Sequence, residues 1–303
     1  MEGRTRREFL KLLGALGMGS FLPFPLRNTP YLKGPLEGSP LAVVKGRSPF
    51  LVTKKAVEAL GGISKFISPG DVVVIKPNMS WDRTPEQAAN TNPLVVKTMV
   101  ELCYQAGAKT VKVFDNTINN AQRCYVRSGI TEAAREAGAD VHFVDRRKFR
   151  RMKIGGEALS EWPIYTEAVE ADKLINIPIA KDHGLARLTM GIKNFMGLCG
   201  GRRWSFHQRI HEVLADLANF FKPTLVVIDA TRILTANGPQ GGSLSDVKKL
   251  DTVIAGTDQV SVDAYGATLF GISPGDIGYI RNAHNMGVGT MALDTLHIKK
   301  LSA

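Results

Sequence analysis

Val72-Val73-Val74-Ile75-Lys76-Pro77-Asn78 is the stretch that decides the fold. Four β-branched residues stand in a row with no polar alternation. Such a run reads as a strand covered on both faces, the condition of a parallel sheet between two layers of helices. Downstream, Asn92 is placed to cap a helix that opens on Pro93. Its apolar positions Val95, Val96, Met99, Val100, Leu102 and Cys103 keep helical spacing until Gly107 ends it. Lys109 to Phe114 then reads as strand, Ile130 to Ala137 as helix with Gly138 as its stop, and Val141 to Val144 as strand. Leu174 to Ile177, Leu225 to Ile228 and Thr252 to Ala255 continue the strands. Phe206 to Phe221 and Val260 to Phe270 read as helices, the first with Ile210, Val213, Leu214, Leu217 and Phe221 on one face. Strands alternating with helices predict an α/β fold, a mainly parallel mixed sheet with helices on both faces. One domain from Leu41 to Ala303 is expected, its division into two lobes left open, with an irregular insertion near Lys148 to Tyr165.

Composition agrees with a folded chain. The 303 residues are 44% hydrophobic and 22% charged, and 39 Lys plus Arg against 28 Asp plus Glu give a formal charge of +11. These values exclude a disordered or collagen-like chain, and the length is enough to bury a full core. Three cysteines exclude a disulfide scaffold and a cluster held by four thiolates of one chain.

In open parallel sheets, ligands bind beyond the carboxyl ends of the strands. The residues just past each predicted strand are therefore informative. Lys76, Pro77 and Asn78 come after Ile75, and Asp115, Asn116 and Thr117 after Phe114. Asp145 follows Val144. Lys181, Asp182 and His183 come after Ile177-Pro178. Asp229 succeeds Ile228, and Asp258 comes shortly after the Thr252 strand. Parallel strands would gather these groups on one rim. Between Lys181 and Gly201 lie Lys193 and Asn194 among Gly191, Gly197, Gly200 and Gly201. Glycine lets backbone approach a ligand closely. Lys181, Arg187 and Lys193 supply cationic donors suited to carboxylate or phosphate. No Gly-Lys-Ser/Thr is present, so this is not a Walker A loop.

The pattern as a whole resembles the domain of unknown function 362 family. The elements that carry the resemblance are Lys76-Pro77-Asn78, Thr91-Asn92-Pro93, Asp115, Asn176-Ile177-Pro178 with Lys181 and His183, and Gly191-Ile192-Lys193-Asn194 with Gly197. Asp229, Gly238-Pro239 with Gly241, and Thr257-Asp258 with Asp263 complete it, from about Leu41 to about Gly289. Several members of that family are linked to iron–sulfur proteins, and many carry a ferredoxin-like cysteine segment. Cys103, Cys124 and Cys199 are scattered here without Cys-x-x-Cys, which argues against a cluster held by this chain alone.

At the start of the chain, Arg4, Arg6, Arg7 and Lys11 precede a short apolar stretch from Leu12 to Phe24. That stretch is shorter than the ~20 residues of a transmembrane helix. Thr5-Arg6-Arg7-Glu8-Phe9-Leu10-Lys11 resembles the twin-arginine export motif. The resemblance implies export of an already folded protein to the periplasm or the outer face of the cytoplasmic membrane. Residues 1–30 are expected to be this signal and residues 31–40 a linker, with membrane contact confined to the signal. Pro23, Pro25 and Pro30 stand where an Ala-x-Ala cleavage site would be expected.

Weaker signals have plainer readings. His207 and His211, four apart on a predicted helix, would share a face, but a histidine pair alone leaves metal coordination incomplete. Cys199 reads as a small buried residue. The basic run Arg146 to Lys153 lacks aromatic interleaving beyond Phe149 and matches no nucleic-acid motif, so a solvated face is preferred to nucleic-acid binding. Arg202-Arg203-Trp204, directly after the glycines, is placed to close over a ligand.

These residues admit two functional readings. In the first, an anionic small molecule or cofactor binds at the strand C-terminal edge. Lys76, Asn78, Lys181, Lys193, Asn194, Gly197, Asp258 and Asp263 hold it, and His183 moves a proton with Asp115 or Asp229 as base or metal ligand. A divalent metal on His183 and carboxylates is compatible with these residue types. In the second, the same pocket binds without chemistry and serves a redox-protein partner.

Overall fold

The computed structural model describes residues 40–303. The twin-arginine-type segment and all of the linker but Pro40 lie outside the described residues. The chain runs β1 (Leu41–Lys45), α1 (Pro49–Ala59), β2 (Val72–Pro77), α2 (Pro93–Gln105), β3 (Thr110–Val113), α3 (Ala121–Arg127), α4 (Ile130–Glu136) and β4 (Asp140–Val141). Next come β5 (Phe149–Lys153), β6 (Glu161–Tyr165), α5 (Glu167–Glu170), β7 (Lys173–Ile177), β8 (Ile179–His183), β9 (Arg187–Thr189) and α6 (Gly191–Asn194). The rest is α7 (Ile210–Phe220), β10 (Leu225–Leu234), β11 (Val247–Gly256), α8 (Gln259–Thr268), α9 (Gly278–Asn285) and β12 (Ile298–Ser302).

One sheet of ten strands runs in the order β12-β1-β11-β10-β7-β2-β3-β4, with β8 continuing the pairing to β10 and β9 folded back on β8. Six of its pairings are parallel, and three are antiparallel: β1–β11, β10–β11 and β8–β9. The fold is thus an α/β mixed sheet, mostly parallel, as the buried valine run implied. Side chains alternate along β2, so Val73 and Ile75 enter one apolar layer and Val74 the other. The first layer packs under α1, α2 and α4; the second packs under α7, α8, α9 and the β5–β6 ribbon.

Three sequence expectations change. The segment expected to be an irregular insertion is a regular antiparallel hairpin, with Phe149 opposite Tyr165 and Lys153 opposite Glu161. The helix expected from Phe206 begins as a 3-10 segment, Arg203–Arg209, before α7 starts. β11 is antiparallel to β10, so its carboxyl end lies at the opposite edge from those of β2, β3, β7 and β10. Asp258, which comes after it, therefore does not join the rim. Its carboxylate caps α8 by accepting from Val260 N at 2.8 Å, and it also accepts from Thr290 N at 2.8 Å.

Asp263, from α8, performs a related task inside the molecule. Its two oxygens accept from Gly191 N at 2.7 Å and Ile192 N at 2.9 Å, holding the first turn of α6 against the sheet. Burial pushes its carboxyl up to about 7, and the two amides oppose that rise. The folded chain keeps this proton up to about pH 7, whereas the unfolded chain releases it near about 3.9. Between those values the folded state binds more protons, so this group's contribution to stability falls as pH rises through the window. Asp263→Asn should flatten that fall in thermal unfolding between pH 5 and pH 8. An unchanged pH slope would contradict the assignment.

Candidate functional site

The carboxyl ends of β2 and β3 are joined by a buried ion pair. Lys76 Nζ lies 2.9 Å from Asp115 Oδ1, both side chains fully inaccessible. The ammonium also donates to Pro77 O at 2.6 Å and to Asn194 Oδ1 at 3.1 Å. Burial pulls the Lys76 ammonium down, and the Asp115 carboxylate opposes that pull. The other oxygen of Asp115 accepts from Met79 N and Ser80 Oγ, each at 2.9 Å, and so fixes the loop after β2. Asn194 completes the junction. Its amide nitrogen donates to Lys76 O at 3.0 Å and to Asn176 Oδ1 at 2.8 Å, tying α6 to β2 and β7. Gly197 is required here, because a Cβ at this position would fall against Asp115 Oδ1 and Lys76 Nζ.

Above this junction is a cleft of about 250 Å³. The β8–β9 ribbon supplies one wall. Lys181 and His183 are two residues apart and share a face, and Thr189 stands directly across from Lys181 in the register. All three line the cleft. Asp182 alternates to the other side and accepts from Gly238 N at 2.9 Å. Asn78, Lys193, Asn194 and Gly197 form the floor, and Trp204, His207, Ile118 and Pro239 stand around them.

The electrostatics are one-sided. Lys181 is fully buried, and its Nζ donates to Ala89 O at 2.6 Å and sits 5.6 Å from the centre of the Trp81 ring. Burial, reinforced by the charge of Lys193, lowers it well below the ordinary lysine value. Among the described residues, Lys193 Nζ has only the thioether of Met196, at 3.6 Å, within hydrogen-bonding reach. Burial and the nearby Arg203 guanidinium bring it down to about 8. Arg203 donates to the carbonyls of Asn116, Met196 and Thr117, so its charge is fixed beside the cleft, with no carboxylate bonded to it among the described residues. Two buried polar oxygens in the lining, Asn78 Oδ1 and Thr189 Oγ1, have no hydrogen-bond partner among the described residues.

Histidine geometry sets the tautomers. His183 Nδ1 accepts from Leu185 N at 3.2 Å and Ala186 N at 3.1 Å, which leaves its proton on Nε2. Burial and the charges of Lys193, His207 and Lys181 bring it down to about 3, so the ring is neutral at pH 7. His207 Nδ1 lies 3.0 Å from Trp204 O, which only accepts, so the proton of a neutral His207 sits on Nδ1. The two rings stack with centroids 5.9 Å apart and planes within 10°. One offers an N–H, the other a lone pair. His211 instead faces Tyr279. The 3-10 turn is the reason: at about 3.0 rather than 3.6 residues per turn, positions four apart no longer share a face.

The residues singled out from sequence thus divide. Asn78, Lys181, His183, Lys193, Asn194 and Gly197 meet at the cleft. Lys76 and Asp115 lie beneath it as a sealed pair. Asp229 accepts from Asn92 N at 2.7 Å and from Thr231 Oγ1 at 2.7 Å, which holds the start of α2 against β10. Asp258 and Asp263 serve as caps on backbone amides. Among the described residues, no group of three or more His, Cys, Asp or Glu side chains converges as a metal site. Cys103, Cys124 and Cys199 are buried and free, with burial pushing the Cys199 thiol up to about 12. Thr189 and Trp81 escape a reading of the sequence. Thr189 carries a readable signal nonetheless: Gly184 between Lys181-x-His183 and Arg187-x-Thr189 marks a tight ribbon that brings it opposite Lys181. The basic run Arg146–Lys153 lies on the β5 hairpin and its approach, away from the cleft, where Arg147 pairs with Asp145 and Lys148 with Glu167.

Residues 73–268 match the family described as a domain of unknown function (DUF362). Over 246 residues the chain is 26% identical to a thylakoid-associated protein of Synechocystis sp., covering 78% of this chain and 75% of that protein. Among solved structures it resembles the lactate racemase apoprotein from Thermoanaerobacterium thermosaccharolyticum, with a TM-score of 0.50, 14% identity and 75% of this chain covered. A protein from Thermotoga maritima aligns with a TM-score of 0.42 and 14% identity over 74% of this chain. The chain spans 56% and 58% of those two chains, respectively. The likeness to the racemase apoprotein concerns the fold alone.

Removing one partner of a buried ion pair strands the other charge, at a cost of about 3–5 kcal/mol. Asp115→Asn should lower stability by about that amount in urea unfolding, whereas a loss under about 1 kcal/mol would show that the pair does not hold the junction. Gly197→Ala should be similarly damaging, because its methyl group displaces the same two side chains.

Proposed function

The chain belongs to the domain of unknown function 362 family, and we propose that its cleft binds a small anionic molecule at the carboxyl edge of the sheet. One observation carries this reading. Lys181, Lys193 and Arg203 bring positive charge to one cleft, and none of them has a carboxylate partner among the described residues. Buried charge is costly without a counter-charge, so an anion there gains more than it would in water. The unpartnered Thr189 hydroxyl and Asn78 carbonyl give the ligand polar contacts beyond its charge. His183 presents an N–H and His207 a lone pair, which suits orienting a ligand and passing a proton. The apolar rim of Ile118, Met196 and Trp204 suits a ligand whose remainder is carbon rather than a second charge.

We also propose that the protein works outside the cytoplasm, a reading supported by Thr5-Arg6-Arg7-Glu8-Phe9-Leu10-Lys11. Replacing both Arg6 and Arg7 by Lys should leave the chain in the cytoplasmic fraction. Unchanged export of the pair variant would overturn the twin-arginine route, and a parent chain found only in the cytoplasmic fraction would overturn this location.

Binding is tested by thermal unfolding with acetate, malonate or phosphate. A ligand present at 100 times its Kd stabilises the native state by about 2.7 kcal/mol. At least one of these anions should raise the Tm of the parent chain. Lys193→Met, which removes the charge and keeps the length, should lose most of that rise. Equal shifts in parent and variant would remove Lys193 from the site.

A further inference from the structure

Three buried lysines stand at or under the cleft, and their surroundings differ in a way that separates their roles. Lys76 is fully buried and bound to Asp115, Pro77 and Asn194. Lys181 is also fully buried, with its amine against the Ala89 carbonyl. Lys193 is 9% exposed, and among the described residues only the thioether of Met196 lies within reach of its amine. A thioether is a weak acceptor and does not hold an ammonium in its charged form. Lys193 also stands on a short helix fixed at both ends, by Asp263 at Gly191 and Ile192 and by the amide contacts of Asn194. Its base is rigid while its amine is uncommitted. Arg203 is fixed nearby by three carbonyls and supplies a permanent positive charge.

We propose that Lys193 is a nucleophile that condenses with the ketone of a small 2-oxo acid. This rests on the anion-binding reading and sharpens it to a carboxylate with an adjacent carbonyl. The step balances without an outside oxidant or reductant. The Lys193 nitrogen adds to the carbonyl carbon, forming the C–N bond. The carbonyl oxygen takes up a proton to give a carbinolamine. That hydroxyl then leaves as water while the nitrogen gives up its protons, and a C=N bond remains. Arg203 and Lys181 offset the carboxylate charge. His183 and His207 line the same cleft: the Nε2–H of the neutral His183 can hydrogen-bond the carbonyl oxygen without leaving the ring, and the lone pair of His207 can take the proton that the nitrogen gives up and return it to the departing hydroxyl. The structural pattern is that of activated amines in general: a lysine kept partly neutral by burial and a neighbouring cation.

The lowered value of Lys193, about 8, gives the pH sense. The neutral amine is the attacking form, and its population grows as pH rises through that value. Condensation should therefore speed up between pH 6.5 and pH 8.5, while an ordinary exposed lysine remains almost wholly protonated across that range.

The test uses the full chain, pyruvate as probe and sodium cyanoborohydride to supply the hydride that converts an imine into a stable secondary amine. Peptide mapping by mass spectrometry then locates the adduct. Lys193 should be the first lysine modified, with a rate that rises from pH 6.5 to pH 8.5, and Lys193→Met should remove that adduct while slow modification of exposed lysines continues. Thermal unfolding with acetate, which has no ketone to condense, is run in parallel on the parent chain. Stabilisation by acetate together with an unmodified Lys193 would overturn the imine and leave the anion cleft standing. No stabilisation and no adduct would overturn both. An early adduct on Lys181 or Lys76 instead would overturn the assignment to Lys193.

Discussion

The Lys76–Asp115 pair is the constraint on which the rest of this structure depends. It joins the ends of two neighbouring parallel strands where their side chains would otherwise splay into a crevice. Neither charge reaches solvent, so each is tolerable only while the other is present. The pair also commits its remaining valences to order. Asp115 fixes the loop after β2 through Met79 and Ser80, and Lys76 anchors Asn194 and with it the short helix that carries Lys193. The glycine at 197 is a consequence of the same geometry, since the pair occupies the space a side chain would need. The Asp115 charge is committed to Lys76, and it opposes the positive charge of Lys181 and Arg203 only from a distance.

That asymmetry is the functional content of the site. Charged residues on a protein surface are mostly screened and paired, as they are on the β5 hairpin and its approach, where Arg147, Lys148 and Arg151 each meet a carboxylate. The cleft has the reverse arrangement. Its carboxylates are turned into the scaffold as caps and pair members, and its cations are left facing the cleft. The imidazole of His183 is kept neutral first by burial and then by the same field that attracts an anion. A ligand that brings negative charge would relieve Lys181, Lys193 and His183 together. Binding and protonation are therefore coupled in this pocket.

Much of this is legible in the chain because strand ends are legible. A run of β-branched residues met at once by Lys-Pro-Asn marks where a buried strand stops and polar side chains emerge. The same holds for Lys181 and His183 after Ile177-Pro178. Acidic residues are harder to place. Asp115, Asp229, Asp258 and Asp263 look alike in sequence, each near a strand end or helix start. Whether a carboxylate faces a ligand or caps a backbone amide depends on strand direction and on contacts distant in the chain. β11 shows this most clearly: nothing in Thr252 to Ala255 states that it runs against its neighbours, and its direction removes Asp258 from the rim. Thr189 is hidden for a related reason, because its role comes from pairing across a ribbon rather than from its own neighbours in sequence. The spacing of His207 and His211 predicts a shared face, and a local 3-10 turn separates them.

An anion held in the field of Lys193 and its neighbours must change how many protons the cleft carries. Near pH 8 the amine of Lys193 is about half neutral, and an anion beside it raises its affinity for a proton. Calorimetric titration of the chain with phosphate or malonate, in two buffers of different ionisation enthalpy, measures that exchange directly. The predicted result is net proton uptake near pH 8 that fades toward pH 6. Binding with no proton uptake at pH 8 would contradict an anion site built around this amine.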